Sequence, residues 1–357
     1  MKKFIAFLFI FFLFNINVYA IETSASSVIV MDQSSHRILY SNNIHDPRLI
    51  ASITKIMTAV IAIESGKMDN VVKINDSILE AYGSGIYIEV GEKLKLRDLV
   101  YGLLLRSGND AALAIANYVG GSEEEFVKMM NDKAKELKMN NSTFQNPHGL
   151  DQTTKNYSTA YDMALLTSYA MSLKEYKKIT GTERYALKTN KKSYIWYNKN
   201  KLLSSYKYTT GGKTGYTEHA RRTLVTTASH NNLDLTIVTL NDPNDWIDHK
   251  NLYEYYFNEY KGYNILNKNN FNVGGDYFYK DALYIKNNFK YPLTEKEEDN
   301  IYTKIELEKL DKYKNKDVVG TVTVYLEGKK IHSQNIYVEK EIKKKENIFK
   351  KIVRWFK

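Results

Sequence analysis

The stretch that decides the fold runs from Ala51 to Thr58 and reads A-S-I-T-K-I-M-T. Ser52 and Lys55 stand three residues apart there. They head an apolar run with the spacing of a buried helix face, formed by Ile53, Ile56, Met57, Val60 and Ile61. The run predicts a helix that ends at Gly66 and has Ser52 at its cap. Burial of that face would favour a neutral Lys55 amine beside Ser52, able to take the serine proton.

Ser-x-x-Lys is a weak pattern by itself, because the chain contains a second copy at Ser204 to Lys207. No apolar helix follows that copy. The alternative interpretation of Ser52 and Lys55, a helix cap with a solvated lysine, therefore stays open at this point.

A polar triplet, Ser107-Gly108-Asn109, separates two predicted helices, Arg97 to Arg106 and Ala111 to Tyr118. Glycine lets the backbone leave the helix. Serine and asparagine place polar groups where burial would otherwise make them costly. The triplet indicates either a functional break within a core or an ordinary capped turn.

A second triplet, Lys213-Thr214-Gly215, precedes two β-type runs, Arg222 to Ala228 and Leu233 to Leu240, whose connection is typical of a hairpin. An ammonium and a hydroxyl beside a glycine at a strand edge can bind a carboxylate. A solvated turn is the alternative.

Composition indicates a globular enzyme of about two domains, with 43% hydrophobic and 26% charged residues in 357. There is no cysteine, and the seven histidines show no ligand spacing, so we expect neither a metal nor another cofactor. Most of the +10 charge lies in Lys2, Lys3 and residues 340–357, which leaves a nearly balanced body. The chain is therefore not predicted to bind nucleic acid.

Both ends of the chain have targeting character. Lys2 and Lys3, the apolar run Phe4 to Phe14 and the small-residue site ending at Ala20 predict a secretory signal peptide over residues 1–20. An uncleaved anchor is the alternative. Residues 340–357 place Ile342, Phe349, Ile352, Val353 and Phe356 on one helical face opposite lysines. This pattern predicts an amphipathic helix on an anionic membrane surface, with a solvated basic tail as the alternative.

Four motifs in order carry a family resemblance: A-S-I-T-K-I-M-T from Ala51, S-G-N-D-A-A from Ser107, N-P-H-G-L-D from Asn146 and K-T-G-Y-T from Lys213. The chain resembles the D-alanyl-D-alanine carboxypeptidases of the low-molecular-mass penicillin-binding proteins, the S11 serine peptidases. The resemblance implies an α/β catalytic domain with helices on an antiparallel sheet over residues 21–258. A β-rich domain would follow over residues 259–339.

The resemblance also implies catalytic roles. Ser52 would be the acylated nucleophile and Lys55 its general base. Ser107 would relay a proton to the leaving D-alanine, and Asn109 would orient Lys55 and the substrate. The lone His148 in the Asn146 loop is expected to be structural.

Substrate binding is implied for the third motif. Lys213 and Thr214 would hold the terminal carboxylate, with Gly215 and Tyr216 beside them. The backbone N–H groups of Ser52 and Tyr216 would form the oxyanion hole, and Lys199 is a further candidate for the carboxylate.

The resemblance implies an exported D-Ala-D-Ala carboxypeptidase at the membrane surface that acts on peptidoglycan stem pentapeptides and binds β-lactams. Two alternatives remain. A β-lactamase would need a deacylating carboxylate, and no Glu-x-x-Leu-Asn stretch lies between Asp151 and Thr210. An inactive wall-binding protein stays possible because Arg221 stands where the family commonly has glycine.

Overall fold

The computed structural model describes residues 22–274, 278–279, 282–309 and 313–339. The predicted signal peptide and the predicted C-terminal amphipathic helix lie outside these ranges. Within them, no helix is long and apolar enough to cross a membrane, and no group of three or more His, Asp or Glu side chains is placed to hold a metal ion.

Helices and strands alternate along the first two thirds of the chain, and strands dominate the last third. The helices are α1 (Lys55–Glu64), α2 (Leu96–Arg106), α3 (Asn109–Gly120), α4 (Glu123–Glu136), α5 (Ala160–Ser172), α6 (Lys174–Thr180), α7 (Leu202–Ser205) and α8 (Asp245–Glu259). The strands are β1 (Ser27–Asp32), β2 (Ile38–Asn42), β3 (Arg48–Leu49), β4 (Val71–Lys73), β5 (Lys93–Lys95), β6 (Tyr157–Ser158), β7 (Arg184–Lys188), β8 (Ser193–Tyr197), β9 (Thr209–Thr217), β10 (Arg221–His230), β11 (Leu233–Leu240), β12 (Lys261–Leu266), β13 (Leu283–Tyr284), β14 (Phe289–Leu293), β15 (Ile301–Leu307), β16 (Val318–Leu326) and β17 (Lys329–Val338).

An antiparallel five-stranded sheet with the order β2-β1-β11-β10-β9 forms the centre of the first part. Residues of one face pack against α1, α2, α3 and α5, and residues of the other face pack against α8. Coverage on both faces explains why nearly every residue of β1 and β11 is buried, rather than every second one. The strand β9, which carries Lys213, lies at the sheet edge, as its sequence predicts.

The start of the first helix differs from the prediction. Residues Ala51–Thr54 form a 3₁₀ turn, and α1 begins only at Lys55. No side chain caps either segment, so the prediction that Ser52 caps the helix is wrong. The Ser52 hydroxyl instead lies beside the Lys55 amine, at 3.0 Å.

The break between α2 and α3 is built by serine rather than by glycine. Ser107 adopts the left-handed conformation, with a φ of 63°, and ends α2. Gly108 has an ordinary φ of −62° and stands at the start of α3. The turn thereby brings Ser107 and Asn109, both buried, to one side of the helix pair.

A four-stranded sheet with the order β13-β17-β16-β15 has its own apolar cluster, which includes Val322 and Val324. The adjoining strand β14 contacts the first part of the chain, because Arg37 donates to the Pro292 carbonyl at 2.6 Å and pairs with the nearby Glu297 at 2.5 Å. Among the residues that the structure describes, none after Glu259 lines the cleft at Ser52.

Candidate active site

The Lys55 amine is the centre of the site. Its side chain is fully buried at the first turn of α1. Lys55 Nζ lies 3.0 Å from Ser52 Oγ, 2.7 Å from Asn109 Oδ1 and 2.5 Å from the His148 carbonyl oxygen. Three of the predicted elements, the first helix, the Ser-Gly-Asn turn and the Asn-Pro-His-Gly loop, therefore meet at one nitrogen.

The surroundings of Lys55 favour the neutral form of its amine. Burial, followed by the charges of Lys213 and Lys199, holds the pKa of Lys55 well below its usual range. A neutral amine has two N–H groups, which can donate to Asn109 Oδ1 and the His148 carbonyl. Its remaining lone pair then faces the Ser52 hydroxyl, which is the arrangement a general base requires.

A second buried amine lies across the site. Lys213, on β9, donates from Nζ to Ser107 Oγ at 3.0 Å and to the Thr214 carbonyl at 2.6 Å. Burial and the nearby Lys199 lower the pKa of Lys213 to about 7. Ser107 thus meets the second lysine of the site from the turn between α2 and α3, and its hydroxyl can pass a proton.

Close backbone contact brings Ser52 to the sheet edge. A Cβ atom added at Gly215 would lie 2.3 Å from Thr223 Oγ1 and 3.0 Å from the Ser52 nitrogen. Only glycine allows β9 to pass this close to the Ser52 turn. The N–H of Ser52 therefore lies beside the strand that carries Thr214 and Tyr216.

The loop at Asn146–Asp151 packs against the other side of the 3₁₀ turn Ala51–Thr54 and holds it in place. Gly149 has a φ of 88°, and a Cβ atom there would lie 1.9 Å from the Ala51 carbonyl oxygen. The Asn146 side chain accepts from the Gly149 N–H at 2.6 Å, and Thr58 donates to the Pro147 carbonyl at 2.6 Å. The loop fixes the His148 carbonyl against Lys55.

His148 contributes its backbone rather than its imidazole to this site, consistent with the structural role expected for it. Burial and the Lys55 charge lower the pKa of His148 to about 3, so the ring is neutral. Its Nδ1 accepts from the Leu150 N–H at 3.1 Å.

The second Ser-x-x-Lys copy has none of these features. Ser204 and Lys207 are exposed, and Ser204 Oγ donates to the Lys201 carbonyl at 3.1 Å. The site contains only the copy at Ser52.

Comparisons with known proteins agree with this geometry. Residues 15–244 match a sequence model of the D-alanyl-D-alanine carboxypeptidases, and residues 266–344 match the C-terminal domain of penicillin-binding protein 5. D-alanyl-D-alanine carboxypeptidase DacC of Escherichia coli is 34% identical over 265 residues, 68% of this chain and 64% of that protein. The chain belongs to the D-alanyl-D-alanine carboxypeptidase family.

One further relative is similar in sequence and another in structure. DacF of Bacillus subtilis is 37% identical over 215 residues, 58% of this chain and 55% of that protein. The chain thus spans less than two thirds of the length of the curated relatives DacF and DacC. Penicillin-binding protein 5 from Haemophilus influenzae superimposes with a TM-score of 0.75 at 27% identity, over 90% of this chain and 98% of that chain. The expected α/β fold with a β-rich C-terminal part is thereby confirmed.

A cleft of about 520 Å³ opens in front of Ser52 in this family member. It is lined by Ser52, Ser84, Ser107, Asn198, Lys199, Lys201, Thr214, Gly215, Tyr216, Arg222, Asp245 and Trp246. Tyr216 is 60% exposed at its rim. Lys199, proposed from sequence as a carboxylate contact, lies in the cleft and donates to Ser84 Oγ at 3.1 Å.

The arginine that lines the cleft is Arg222, and not its neighbour Arg221, which the sequence singled out. Arg221 is exposed, has a φ of 59° and is not among the residues that line the cleft. Its neighbour Arg222 lines the cleft and is held there by Asp245. A non-glycine residue is strained in the left-handed region, which fits the glycine that is common at this position in the family.

Sequence reasoning missed two residues that hold the site together. The buried Asp110 carboxylate accepts the N–H groups of Ile86, Tyr87 and Ile88, the closest at 2.7 Å, and so fixes the loop beside Asn109. Asn156 donates to Thr54 Oγ1 at 3.0 Å and to the Asn146 carbonyl at 2.9 Å. Asp110 lies inside the S-G-N-D-A-A motif, in which sequence reasoning assigned it no separate role, and no pattern in the sequence pointed to Asn156.

Proposed function

We propose that the protein is a serine-type D-Ala-D-Ala carboxypeptidase that removes the terminal D-alanine from peptidoglycan stem pentapeptides. The observation that carries the proposal is the contact between Ser52 Oγ and a buried amine, Lys55, whose other two hydrogen-bond partners are both acceptors. The family membership and the names of the relatives support the same reaction.

Acylation begins at the carbonyl of the penultimate D-alanine. Ser52 Oγ attacks that carbon while its proton moves to the neutral Lys55 amine. The N–H groups of Ser52 and Tyr216 stabilise the oxyanion, and one such donor typically contributes about 3 kcal/mol. Asn109 holds the Lys55 amine in line with the hydroxyl through the 2.7 Å bond.

Collapse of the tetrahedral intermediate breaks the peptide bond. The proton that Lys55 took from Ser52 passes through the Ser107 hydroxyl to the departing nitrogen, so D-alanine leaves with a free amine and Lys55 is neutral again. A water molecule then attacks the ester at Ser52 and gives a proton to Lys55, which passes a proton to Ser52 Oγ as the ester bond breaks. This second attack regenerates the hydroxyl and releases the shortened peptide.

Thr214 and Lys213 favour a substrate that ends in a carboxylate, and Gly215 and Tyr216 let its backbone lie along β9. A β-lactam presents an amide carbonyl and a carboxylate at a similar separation. We therefore expect it to acylate Ser52 and to remain attached as an ester.

The site of action follows from the two ends of the chain. We propose that residues 1–20 direct export and are removed, and that residues 340–357 bind the outer face of the cytoplasmic membrane. The catalytic part would correspond to residues 21–258 and the β-rich part to residues 259–339. The enzyme would then meet its substrate in the cell-wall space.

Release of D-alanine from a synthetic pentapeptide ending in D-Ala-D-Ala tests the function. The wild-type protein and Ser204→Ala should release it at equal rates, whereas Ser52→Ala should release none. Because Ser204 belongs to the exposed second copy, it is the matched control. Equal activity in Ser52→Ala and the wild type would contradict the proposal.

A further inference from the structure

A second groove, of about 410 Å³, lies beside the cleft, and the proposed reaction does not use it. It is formed by the loop of residues 85–87, the strand β8 and the end of α2. Three of its lining residues are chain neighbours of residues that line the cleft: Gly85 follows Ser84, Arg106 precedes Ser107 and Tyr197 precedes Asn198. A polymer that is held in the cleft can therefore reach this groove.

The groove presents tyrosine rings to solvent. Strand β8 alternates between exposed and buried residues, and its exposed face ends with Tyr197, which is 58% exposed. Tyr87, in the loop, is 75% exposed. Exposed aromatic side chains that line a concave surface are typical of a binding site.

The backbone of Tyr87 is strained and firmly held. Its φ of 61° is costly for a residue with a bulky side chain. The Tyr87 N–H donates to the Asp110 carboxylate at 2.7 Å. The Tyr87 carbonyl accepts from Lys192 Nζ at 2.7 Å and from the Tyr194 hydroxyl at 3.3 Å. These bonds fix the backbone and leave the ring exposed, and strain that is maintained at an exposed ring points to a ligand.

The chemistry of the groove fits a carbohydrate. The face of an aromatic ring is electron-rich and attracts the C–H groups on the flat side of a sugar ring. Hydroxyl and acetamido oxygens at the rim of the sugar need donors. Arg106 donates to the Tyr197 carbonyl at 3.4 Å, and a guanidinium has five N–H groups, so donors remain for a ligand. The Ser193 hydroxyl is a further donor in the lining.

We propose that this groove is a carbohydrate site, in which Tyr87 and Tyr197 stack on sugar rings and Arg106 donates to acetamido or hydroxyl oxygens. Its occupant is the glycan that carries the stem peptide, and this choice of glycan rests on the proposed function. Four extended peptide residues span up to about 14 Å, so a stem peptide in the cleft can place its sugar outside the cleft. The groove favours pentapeptides that are attached to glycan over free ones.

The experiment titrates the full-length protein with a tetramer of N-acetylglucosamine, which carries no peptide, in a calorimeter. The wild type should bind it. Tyr87→Gly and Tyr197→Ala should each raise the Kd roughly 2- to 10-fold, because one ring contact is lost. Glycine tolerates the φ of Tyr87, so this variant removes the ring without straining another side chain. Tyr197→Phe keeps the ring and should bind like the wild type.

Tyr302→Ala is the matched control, because this tyrosine is 53% exposed on β15 and lies outside the groove. Its Kd should equal that of the wild type. A wild type that does not bind the tetramer, or equal Kd values in the wild type, Tyr87→Gly and Tyr197→Ala, would overturn the inference. An equal loss in Tyr302→Ala would overturn it as well.

Release of D-alanine from a free pentapeptide, measured on the same wild-type preparation, separates this inference from the proposed function. A protein that binds the tetramer but releases no D-alanine would contradict the proposed function and leave the carbohydrate site in place. A protein that releases D-alanine but does not bind the tetramer would have the reverse meaning.

Discussion

The site contains two buried lysines, Lys55 and Lys213, that need opposite charge states. In the proposed reaction, Lys55 must lose its proton to serve as a base, and Lys213 must keep positive charge near the substrate. Burial lowers the pKa of both, and Lys213 and Lys199 lower that of Lys55 further. The same field of like charges therefore creates the base and attracts an anionic substrate.

Lys199→Gln should shift the pH dependence of the acylation rate to higher pH. Removing this cation raises the pKa of Lys55, so the amine becomes neutral only at higher pH, and the rising limb of the rate follows it. The rate of acylation by a fluorescent penicillin, measured against pH, reports the shift. Lys201→Gln, at another cleft lysine, is the control and should leave the limb in place. If the rising part of the rate curve stays in place or moves to lower pH in Lys199→Gln, Lys199 does not lower the pKa of Lys55.

The motifs in the sequence indicated which residues would meet at one site, because each of these residues is the defined end of a short motif. Ser52, Lys55, Ser107, Asn109 and Lys213 are brought together as the motifs require. The error at the Ser52 cap has a physical reason. Its hydroxyl meets an amine one turn away, and that contact, which depends on tertiary burial, replaces the local bond to a backbone N–H.

Among the elements, the loop at Asn146–Asp151 acts as a clamp on the 3₁₀ turn of the nucleophile. Its contact depends on Gly149, which approaches the Ala51 carbonyl in the left-handed conformation. Local sequence could indicate a loop here, but not its partner, because Ala51 lies almost a hundred residues earlier in the chain. The support from Asp110 and Asn156 was unpredictable for the same reason, since it consists of bonds between distant loops.

Gly149→Ala should unfold more easily than the wild type, by about 3 kcal/mol, because the new Cβ collides with the nucleophile turn. Gly66→Ala is the control, with a φ of 69° and no atom within 4 Å of the added Cβ, and should cost about 1 kcal/mol. Urea unfolding measures both. Penicillin labelling should fall in Gly149→Ala alone. Equal stability losses in the two variants would refute the clamp.

For the whole molecule, catalysis and attachment are assigned to opposite ends of the chain. The β-rich part contacts the first part through Arg37, and none of its described residues lines the cleft at Ser52. Sequence patterns predicted its strands, since Val322 and Val324 alternate with more polar residues and are buried. The surface by which it contacts the first part of the chain could not be predicted from those patterns. Alternation shows which face of a strand is buried, but not which residues bury it.

Deletion of residues 340–357 should release the protein from membranes without loss of catalysis. Charge attraction contributes about 1 kcal/mol per basic residue near an anionic leaflet, and the apolar face adds contact that salt does not screen. High salt should therefore release only part of the full-length protein. Fractionation and a soluble pentapeptide assay measure both properties. A truncated protein that stays on the membrane would exclude this anchor.

The central claim is that Ser52, activated by Lys55, becomes acylated. Its most direct test is mass spectrometry of the protein after incubation with benzylpenicillin, followed by proteolysis and mapping of the adduct. The account predicts a single penicilloyl ester on Ser52, present in Ser204→Ala and absent in Ser52→Ala. An adduct on Ser204, or one that persists in Ser52→Ala, would contradict it.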